Sequence, residues 1–243
     1  MKFAVALPMF NEAECAERSV RRINEELNTI SHESFILTIN DGSKDKTLEI
    51  LQSIRDVPRL VVVNHEVNKG YGGAISTAYK TASEKGIDYV LFMDADLTQD
   101  PKYLHAFVPK MLAGHVMIKG SRYVRGGGMQ GVPLYRVAVS KVGNIISSIL
   151  FRHKIKDYTN GFRAVRVDMA KKLQLKERGF AVLLEEIYQL SQWTSDFSEV
   201  PYILTFRQEG DGVSTFTYTP KVFMNYLKYP VRKALKVPTK ESP

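Results

Sequence analysis

The sequence predicts an α/β protein built on an open, mostly parallel sheet with helices on both faces. Two observations carry this prediction. The first 120 residues alternate short apolar, β-rich runs with amphipathic segments. Apolar runs without polar alternation are typical of parallel strands that are buried on both faces, and a strand–helix–strand order favours a parallel sheet.

Five strands and three helices are predicted in this first half. The strands are Phe3–Leu7, Phe35–Ile39, Leu60–Val63, Tyr89–Met93 and Val116–Lys119. Apolar residues step by four and three along the first helix, which follows the first strand; they are Ala16, Val20, Ile23, Leu27 and Ile30. A second helix follows Asp45, a plausible N-cap, and a third runs from about Gly72 to Lys85.

The second half is less regular. It predicts a helix over Leu134–Phe151, a strand at Phe162–Val167, a helix near Leu183–Trp193 and a strand at Val200–Phe206. No Pro/Gly/Ser-rich linker interrupts the chain. We therefore expect one continuous domain over residues 1–219, made of a first half (1–120) and a second half (121–219), followed by a basic amphipathic extension over residues 220–243.

The net charge of +8 lies entirely in the second half. Residues 1–120 carry a net charge of −2 and residues 121–243 a net charge of +10. A one-sided basic surface indicates an acidic partner, such as nucleic acid, an anionic membrane or a phosphorylated substrate. Cys15 is the single cysteine, which excludes an intrachain disulfide and fits a reducing compartment. Neither a signal peptide nor a membrane span is expected from the apolar runs.

Acidic residues follow two of the predicted strands. Asp41 comes after the second strand, and Asp94 and Asp96 come directly after the fourth. Open α/β sheets bind ligands beyond the carboxyl ends of their strands. Two carboxylates spaced by two residues would repel each other, and a divalent cation with a preference for hard oxygen ligands, Mg²⁺ or Mn²⁺, would relieve that repulsion. Loop acids or helix caps are the structural alternative.

Seven short motifs then occur in a recognisable order. They are LPMFNE at 7–12, NDGS at 40–43, NKGYGGA at 68–74, MDADL at 93–97, GSRY at 120–123, DYTNGFR at 157–163 and EVP at 199–201. With these motifs in register, the sequence resembles a family 2 glycosyltransferase with a GT-A fold. Within that family it is most similar to the dolichyl- and polyprenyl-phosphate hexosyltransferases, the dolichol-phosphate mannose synthase-like enzymes.

The resemblance implies a role for individual residues. It places the donor nucleotide-sugar against a set of substrate-binding residues, namely Pro8, Phe10, Asn11, Glu12, Asp41, Lys69, Asp94 and Arg207. Asp41 is implied to lie near the base and ribose, and Arg207 near the pyrophosphate. Asp94 and Asp96 are implied to surround the metal and the diphosphate. Arg122 and Arg136 are implied to hold the lipid phosphate, and Asp157 matches an acid proposed as catalytic.

Some positions depart from the family pattern or leave alternatives open. Asn40 stands where relatives often have an acid, and Thr98 with Gln99 beside it follows the second metal acid. Asp157 is expected to orient Arg163 or a ligand, or to act as a base; the orienting role is favoured because a phosphate monoester is already ionised at neutral pH. Glu185 and Glu186 either serve the site or form salt bridges on a solvated helix face.

The predicted activity is inverting transfer of a hexose from a nucleotide-sugar to a polyprenyl or dolichyl phosphate. GDP-mannose is the first expected donor and UDP-glucose the second. The C-terminal segment, apolar and basic by turns, either lies on an anionic leaflet or packs on the domain. The expected location is cytoplasmic, peripheral on the cytosolic face of a membrane, and a membrane-anchoring partner subunit is a further possibility.

The sequence leaves two other functions open and argues against a third. The chain could be a glycosyltransferase with a soluble or saccharide acceptor, or a non-catalytic subunit of a membrane complex. A nucleic-acid partner is not expected, because the basic half contains neither an aromatic–basic RNA-binding pattern nor a recognition-helix motif.

Overall fold

A computed structural model describes residues 1–206 and 219–236 of the chain. Its strands are β1 (Lys2–Met9), β2 (Glu33–Asp41), β3 (Leu60–His65), β4 (Tyr89–Phe92), β5 (Met117–Ser121), β6 (Gly128–Met129), β7 (Arg163–Arg166), β8 (Phe197–Pro201) and β9 (Ile203–Leu204). Its helices are α1 (Ala16–Leu27), α2 (Thr47–Ser53), α3 (Tyr71–Glu84), α4 (Leu104–Leu112), α5 (Leu134–Phe151), α6 (Val167–Ala170), α7 (Val182–Leu190) and α8 (Pro220–Ala234).

Strands from both halves of the chain form one seven-stranded sheet. The order is β3-β2-β1-β4-β7-β5-β8, and only β7 runs antiparallel to its neighbours within it. The predicted open, mostly parallel sheet is confirmed. A short parallel pair, β6 and β9, stands apart from it.

Alternate residues of the interior strand β1 enter two separate apolar cores. Ala4 and Ala6 pack toward α3 and α7, whereas Phe3, Val5 and Leu7 pack toward α1 and α4. The α1 residues predicted to face the sheet are buried, so the 4-and-3 spacing identified the correct helix face. Both faces of the sheet are therefore covered, which is why the strands read as nearly continuous apolar runs.

Two details of the predicted elements are wrong. Helix α2 begins at Thr47 with Lys46 at its N-cap, so Asp45 is not the cap residue; its Oδ1 instead accepts from the Thr47 amide at 3.0 Å. The strand predicted over Val200–Phe206 is two pieces, β8 and β9, that belong to different sheets. Tyr202, between them, is fully buried.

The C-terminal helix α8 packs on the domain. Tyr229 is buried between α8 and α7, and its hydroxyl donates to Glu177 at 2.8 Å. Lys228 pairs with the same carboxylate at 2.6 Å, and the helix continues through Pro230. Of the two alternatives for this segment, the described part takes the packed one, while residues 237–243 lie outside the described residues.

Helix α5 is long and apolar enough to cross a membrane by length and composition alone. Its 18 residues have a mean hydropathy of 1.2, and 28% of them are buried. From the sequence we expect no such segment, because no stretch approaches 18 uninterrupted apolar residues.

Candidate functional site

A cavity of about 1070 Å³ opens at the carboxyl ends of β1, β2 and β4. This is the edge at which an open α/β sheet binds its ligands. The cavity is lined by seven of the residues singled out from the sequence: Pro8, Phe10, Glu12, Asp41, Asp94, Asp96 and Arg122. Asn11, Lys69, Asp157 and Arg136 are not among its lining residues, and Arg207 lies outside the described residues.

The first loop of the site is held by the loop after β2. Asn11 adopts a left-handed backbone conformation (φ 56°). Its amide donates to Ser43 Oγ at 2.9 Å, and its own Oδ1 accepts from the Lys44 amide at 2.8 Å. The next amide, that of Glu12, donates to Thr47 Oγ1 at 2.9 Å. Asn11 thus shapes the loop that carries Phe10 and Glu12 into the cavity.

Asp41 has a structural task that sequence reasoning did not include. Its carboxylate is buried, and it accepts from the amides of Lys69 and Gly70 at 2.8 Å each and contacts His65 Nδ1 at 2.6 Å. The histidine is fixed in turn by Thr77 at 2.8 Å. Asp41 therefore holds the loop before α3 against β2, and the described contact of Lys69 with it is made through the backbone.

The loop after β3 is locked against a second loop, that before α7. Arg178 Nη2 donates to the Asn68 carbonyl at 3.0 Å, and the Gly72 amide donates to the Arg178 carbonyl at 3.0 Å. A Cβ atom on Gly72 would lie 1.8 Å from the Glu177 carbonyl oxygen, so only glycine permits this approach. Arg178 also lines the cavity, yet no motif pointed to it.

Asp94 and Asp96 lie in the loop directly after β4 and both line the cavity. Gln99 Nε2 donates to Asp94 Oδ2 at 2.7 Å. Thr98 donates to Asp96 Oδ1 from its amide at 3.1 Å and from its hydroxyl at 2.8 Å. Thr98 and Gln99, which the sequence places beside the acid pair, thus orient those acids. Leu97, between Asp96 and Thr98, has a positive φ of 57°, which bends this loop tightly.

The donor set fits a hard divalent cation shared with a substrate. Within residues 1–206 and 219–236, no group of three or more His, Cys, Asp or Glu side chains could hold a metal by themselves. Mg²⁺ characteristically uses one or two carboxylates and completes its shell with water and substrate phosphates. Asp94 and Asp96, held by neutral donors at the edge of the cavity, match that pattern.

Arg122 is clamped by a buried carboxylate. Its Nε and Nη2 donate to the two oxygens of Asp157 at 2.7 and 2.8 Å, and its amide donates to Asp157 Oδ2 at 3.0 Å. Asp157 is fully buried and its amide donates to Glu199 Oε1 at 3.1 Å. Burial by itself lowers the pKa of Arg122, but the charge of Asp157 and its hydrogen bonds to the guanidinium, acting with weaker contributions from nearby tyrosines, raise that pKa above its ordinary value. Asp157 therefore orients Arg122.

The alternative that Asp157 orients Arg163 is wrong. Arg163 pairs with Glu186 at 2.5 Å, and both side chains are fully buried between β7 and α7. Tyr79 also donates to Glu186, and the Arg163 guanidinium lies over the Phe92 ring. Glu186 is therefore in the protein core and not on a solvated face. Sequence periodicity could not distinguish these cases, because α7 is buried on all sides.

Arg136, the second predicted phosphate ligand, lies in the first turns of α5. Its Nε donates to the Tyr135 hydroxyl at 3.2 Å. The next turn of the same helix, Ala138 and Val139, lines the cavity. The structure thus brings Arg122 to the cavity wall and Arg136 to the adjoining helix.

Residues 4–174 match the family described as Glycosyl transferase family 2. This chain belongs to that family. The assignment, together with the sheet described above, confirms the predicted GT-A fold.

Two similar proteins come from Pyrococcus furiosus and Micrococcus luteus. The dolichol-phosphate mannosyltransferase of Pyrococcus furiosus is 30% identical over 229 residues, which cover 92% of this chain and 63% of that protein. The chain therefore spans less than two thirds of that relative. The undecaprenyl-phosphate mannosyltransferase of Micrococcus luteus is 26% identical, with coverages of 87% and 86%.

The fold also resembles solved structures. Glucosyl-3-phosphoglycerate synthase from Mycobacterium tuberculosis, in complex with Mn²⁺, UDP-glucose and phosphoglyceric acid, gives a TM-score of 0.66 at 18% identity. The match covers 98% of this chain and 81% of that one. At this identity the likeness concerns the fold alone.

Proposed function

We propose that the chain is an inverting glycosyltransferase that moves a hexose from a nucleotide-sugar to a polyprenyl or dolichyl phosphate. GDP-mannose is the first candidate donor and UDP-glucose the second. One observation carries the proposal: a single cavity is lined by the acid pair Asp94 and Asp96 and by Arg122, an arginine clamped by a buried carboxylate. The names of the relatives from Pyrococcus and Micrococcus support the acceptor class and mannose.

The acid pair serves the leaving group. When bound there, Mg²⁺ or Mn²⁺ would neutralise charge that develops on the departing nucleoside diphosphate. Asp94 and Asp96 would hold the cation, while Gln99 and Thr98 keep the two carboxylates in place. Because these donors are already aligned, little reorganisation accompanies the reaction.

Arg122 is proposed to bind the acceptor phosphate, which is the attacking group. A phosphate monoester has its second pKa near 6, so at neutral pH it is mostly a dianion and needs no general base. It does need to be held close to an anionic donor. Arg122 offers a planar, permanently charged guanidinium, and Asp157 fixes its orientation. Asp157 is thus a positioning residue, and Arg136 is proposed to add a second cation. Direct attack in one displacement inverts the anomeric carbon.

The outward face of α5 supports peripheral contact with a membrane. Four apolar or aromatic side chains of this helix are exposed and do not line the cavity: Leu134, Tyr135, Ile145 and Ile149. Exposed lysines and arginines lie on or beside the helix, at Lys141, Arg152, Lys154 and Lys156. An apolar helix face with basic neighbours suits an anionic leaflet. We propose that α5, more than α8, makes this contact, on the cytosolic face of a membrane. A membrane-anchoring partner subunit is a separate part of the proposal.

Transfer of radiolabelled sugar tests the proposal. The protein is incubated with labelled GDP-mannose or UDP-glucose, a polyprenyl phosphate and Mg²⁺ or Mn²⁺, and label is measured in the organic phase. We expect transfer that Asp96→Ala and EDTA abolish. Asp56→Ala, which removes an exposed acid that does not line the cavity, is the matched control and should retain full activity. Label that enters only water-soluble acceptors would favour the soluble-acceptor alternative. Failure to bind any nucleotide-sugar would favour a non-catalytic subunit.

A further inference from the structure

The segment 157–161 runs between two features of the cavity, namely Arg122 and the acid pair Asp94 and Asp96. At its start Asp157 clamps Arg122. At its end Gly161 lies beside the acid pair: a Cβ atom on Gly161 would be 3.5 Å from Asp94 Oδ1 and 3.1 Å from the Tyr71 hydroxyl. The distance between Arg122 and Asp94 therefore depends on how this five-residue segment is held.

The segment forms neither helix nor strand, so its backbone is held from outside. Asn144 Oδ1 accepts from the amides of Tyr158 and Thr159 at 2.6 and 3.2 Å. Asn160 Nδ2 donates to the Gly120 carbonyl at 2.7 Å. Lys119 Nζ donates to the Asn160 carbonyl at 2.5 Å and lies 3.4 Å from the Tyr158 carbonyl.

A lysine at position 119 of β5 is energetically costly, because folding removes its amine from water. Its side chain is fully buried, although β5 is the second strand from one edge of the sheet. An apolar side chain of similar length would fill the same space without the cost of removing an amine from water. The lysine gains only what its N–H groups provide, which is a pair of donors aimed at the backbone of segment 157–161.

Two cationic and two anionic side chains influence the pKa of the Lys119 amine. Burial lowers the pKa of Lys119 to about 7; Arg163 on β7 and Arg122 act in the same direction, whereas Asp157 and Glu186 on α7 oppose it. The amine carries N–H donors whether or not it is protonated. Its hold on the two carbonyls therefore does not depend on its charge.

We propose that Lys119 is a positioning residue that fixes segment 157–161 and so sets the spacing between Arg122, which receives the acceptor phosphate, and Asp94. This inference rests on the proposed function. No motif singled out Lys119, and its side chain does not line the cavity.

The test compares Lys119→Met with a matched control. Thr38→Val also removes a buried polar group from a strand of the sheet, but Thr38 contacts the Val61 carbonyl and not the segment. In the transfer assay, we expect Lys119→Met to raise KM for the polyprenyl phosphate about 10-fold and to leave KM for the nucleotide-sugar within 2-fold. Thr38→Val should change neither constant.

Two further readouts separate positioning from general destabilisation. In an Arg122→Ala background, Lys119→Met should cost little more in kcat/KM for the acceptor, because the lysine acts through that arginine. Amide hydrogen exchange should quicken at 158–161 in Lys119→Met and stay unchanged in β1.

Equal losses in both backgrounds, an unchanged acceptor KM or unchanged exchange at 158–161 would each overturn the proposal. A wild-type protein without lipid-phosphate transfer would refute the proposed function instead, and the exchange experiment would still decide the role of Lys119.

Discussion

The pairing of Arg122 with Asp157 is the contact on which the proposed acceptor site depends, and its strength can be measured without any substrate. The two side chains are 10% and 0% exposed and form two hydrogen bonds. Removing one member of a buried pair leaves the other charge uncompensated and typically costs about 3–5 kcal/mol. Asn has the shape of Asp, so Asp157→Asn mainly removes the charge, and we expect it to lower the free energy of unfolding by about 3 kcal/mol.

A double-mutant cycle isolates the interaction. Urea unfolding is measured for the wild type, Asp157→Asn, Arg122→Met and the double variant. The double variant contains neither charge, so we expect its loss to be smaller than the summed losses of the single variants by at least about 2 kcal/mol.

The protein contains a matched control for this cycle. Arg21 and Asp56 also meet at 2.7 Å, but their side chains are 43% and 65% exposed. Solvent screens exposed pairs, so the same cycle on this pair should give a much smaller coupling than the buried pair gives. Equal couplings for the two pairs, or additive losses at Arg122 and Asp157, would refute the reasoning that burial makes this clamp strong.

Two other predictions concern stability. Because burial lowers the pKa of Lys119 to about 7, the unfolded chain holds a proton between pH 7 and about 10 that the folded chain has lost, so rising pH favours the folded state. Unfolding measured at pH 7.5, 8.5 and 9.5 should show the wild type gaining up to about 1.4 kcal/mol per pH unit relative to Lys119→Met, and parallel pH profiles would contradict this. Gly72→Ala forces a methyl group against the Glu177 carbonyl and should cost about 1–3 kcal/mol by thermal or urea unfolding, whereas Gly179→Ala, with open space around it, should change stability by less than about 0.5 kcal/mol.

Local pattern was enough for the sheet and for the place of the site. The strands β1 to β5 and helix α1 lie where apolar periodicity predicts them, because each buries a face whose spacing is written in consecutive residues. Asp94 and Asp96 reach the cavity for a related reason. They follow a strand directly, and in an open α/β sheet the carboxyl end of a strand faces the ligand.

The partners of the charged residues were beyond local pattern. Asp157 meets Arg122 across 35 residues, Arg163 meets Glu186 across 23, and Arg178 reaches Asn68 across 110. The sequence shows that a residue carries a carboxylate. It does not show whether that carboxylate contacts water, a metal or an arginine. Which of these it meets depends on which loops the sheet order brings together.

The C-terminal extension and helix α5 show the same limit. The sequence by itself determined the α/β fold, the family motifs and the position of the acids at the strand ends. Only the tertiary structure decided that α8 packs on α7 while the apolar face of α5 stays exposed, that Asp157 clamps Arg122, and that Lys119 is buried beneath their loop. The physical reason is that amphipathic spacing specifies that a helix has an apolar face, whereas what covers that face is settled by long-range packing.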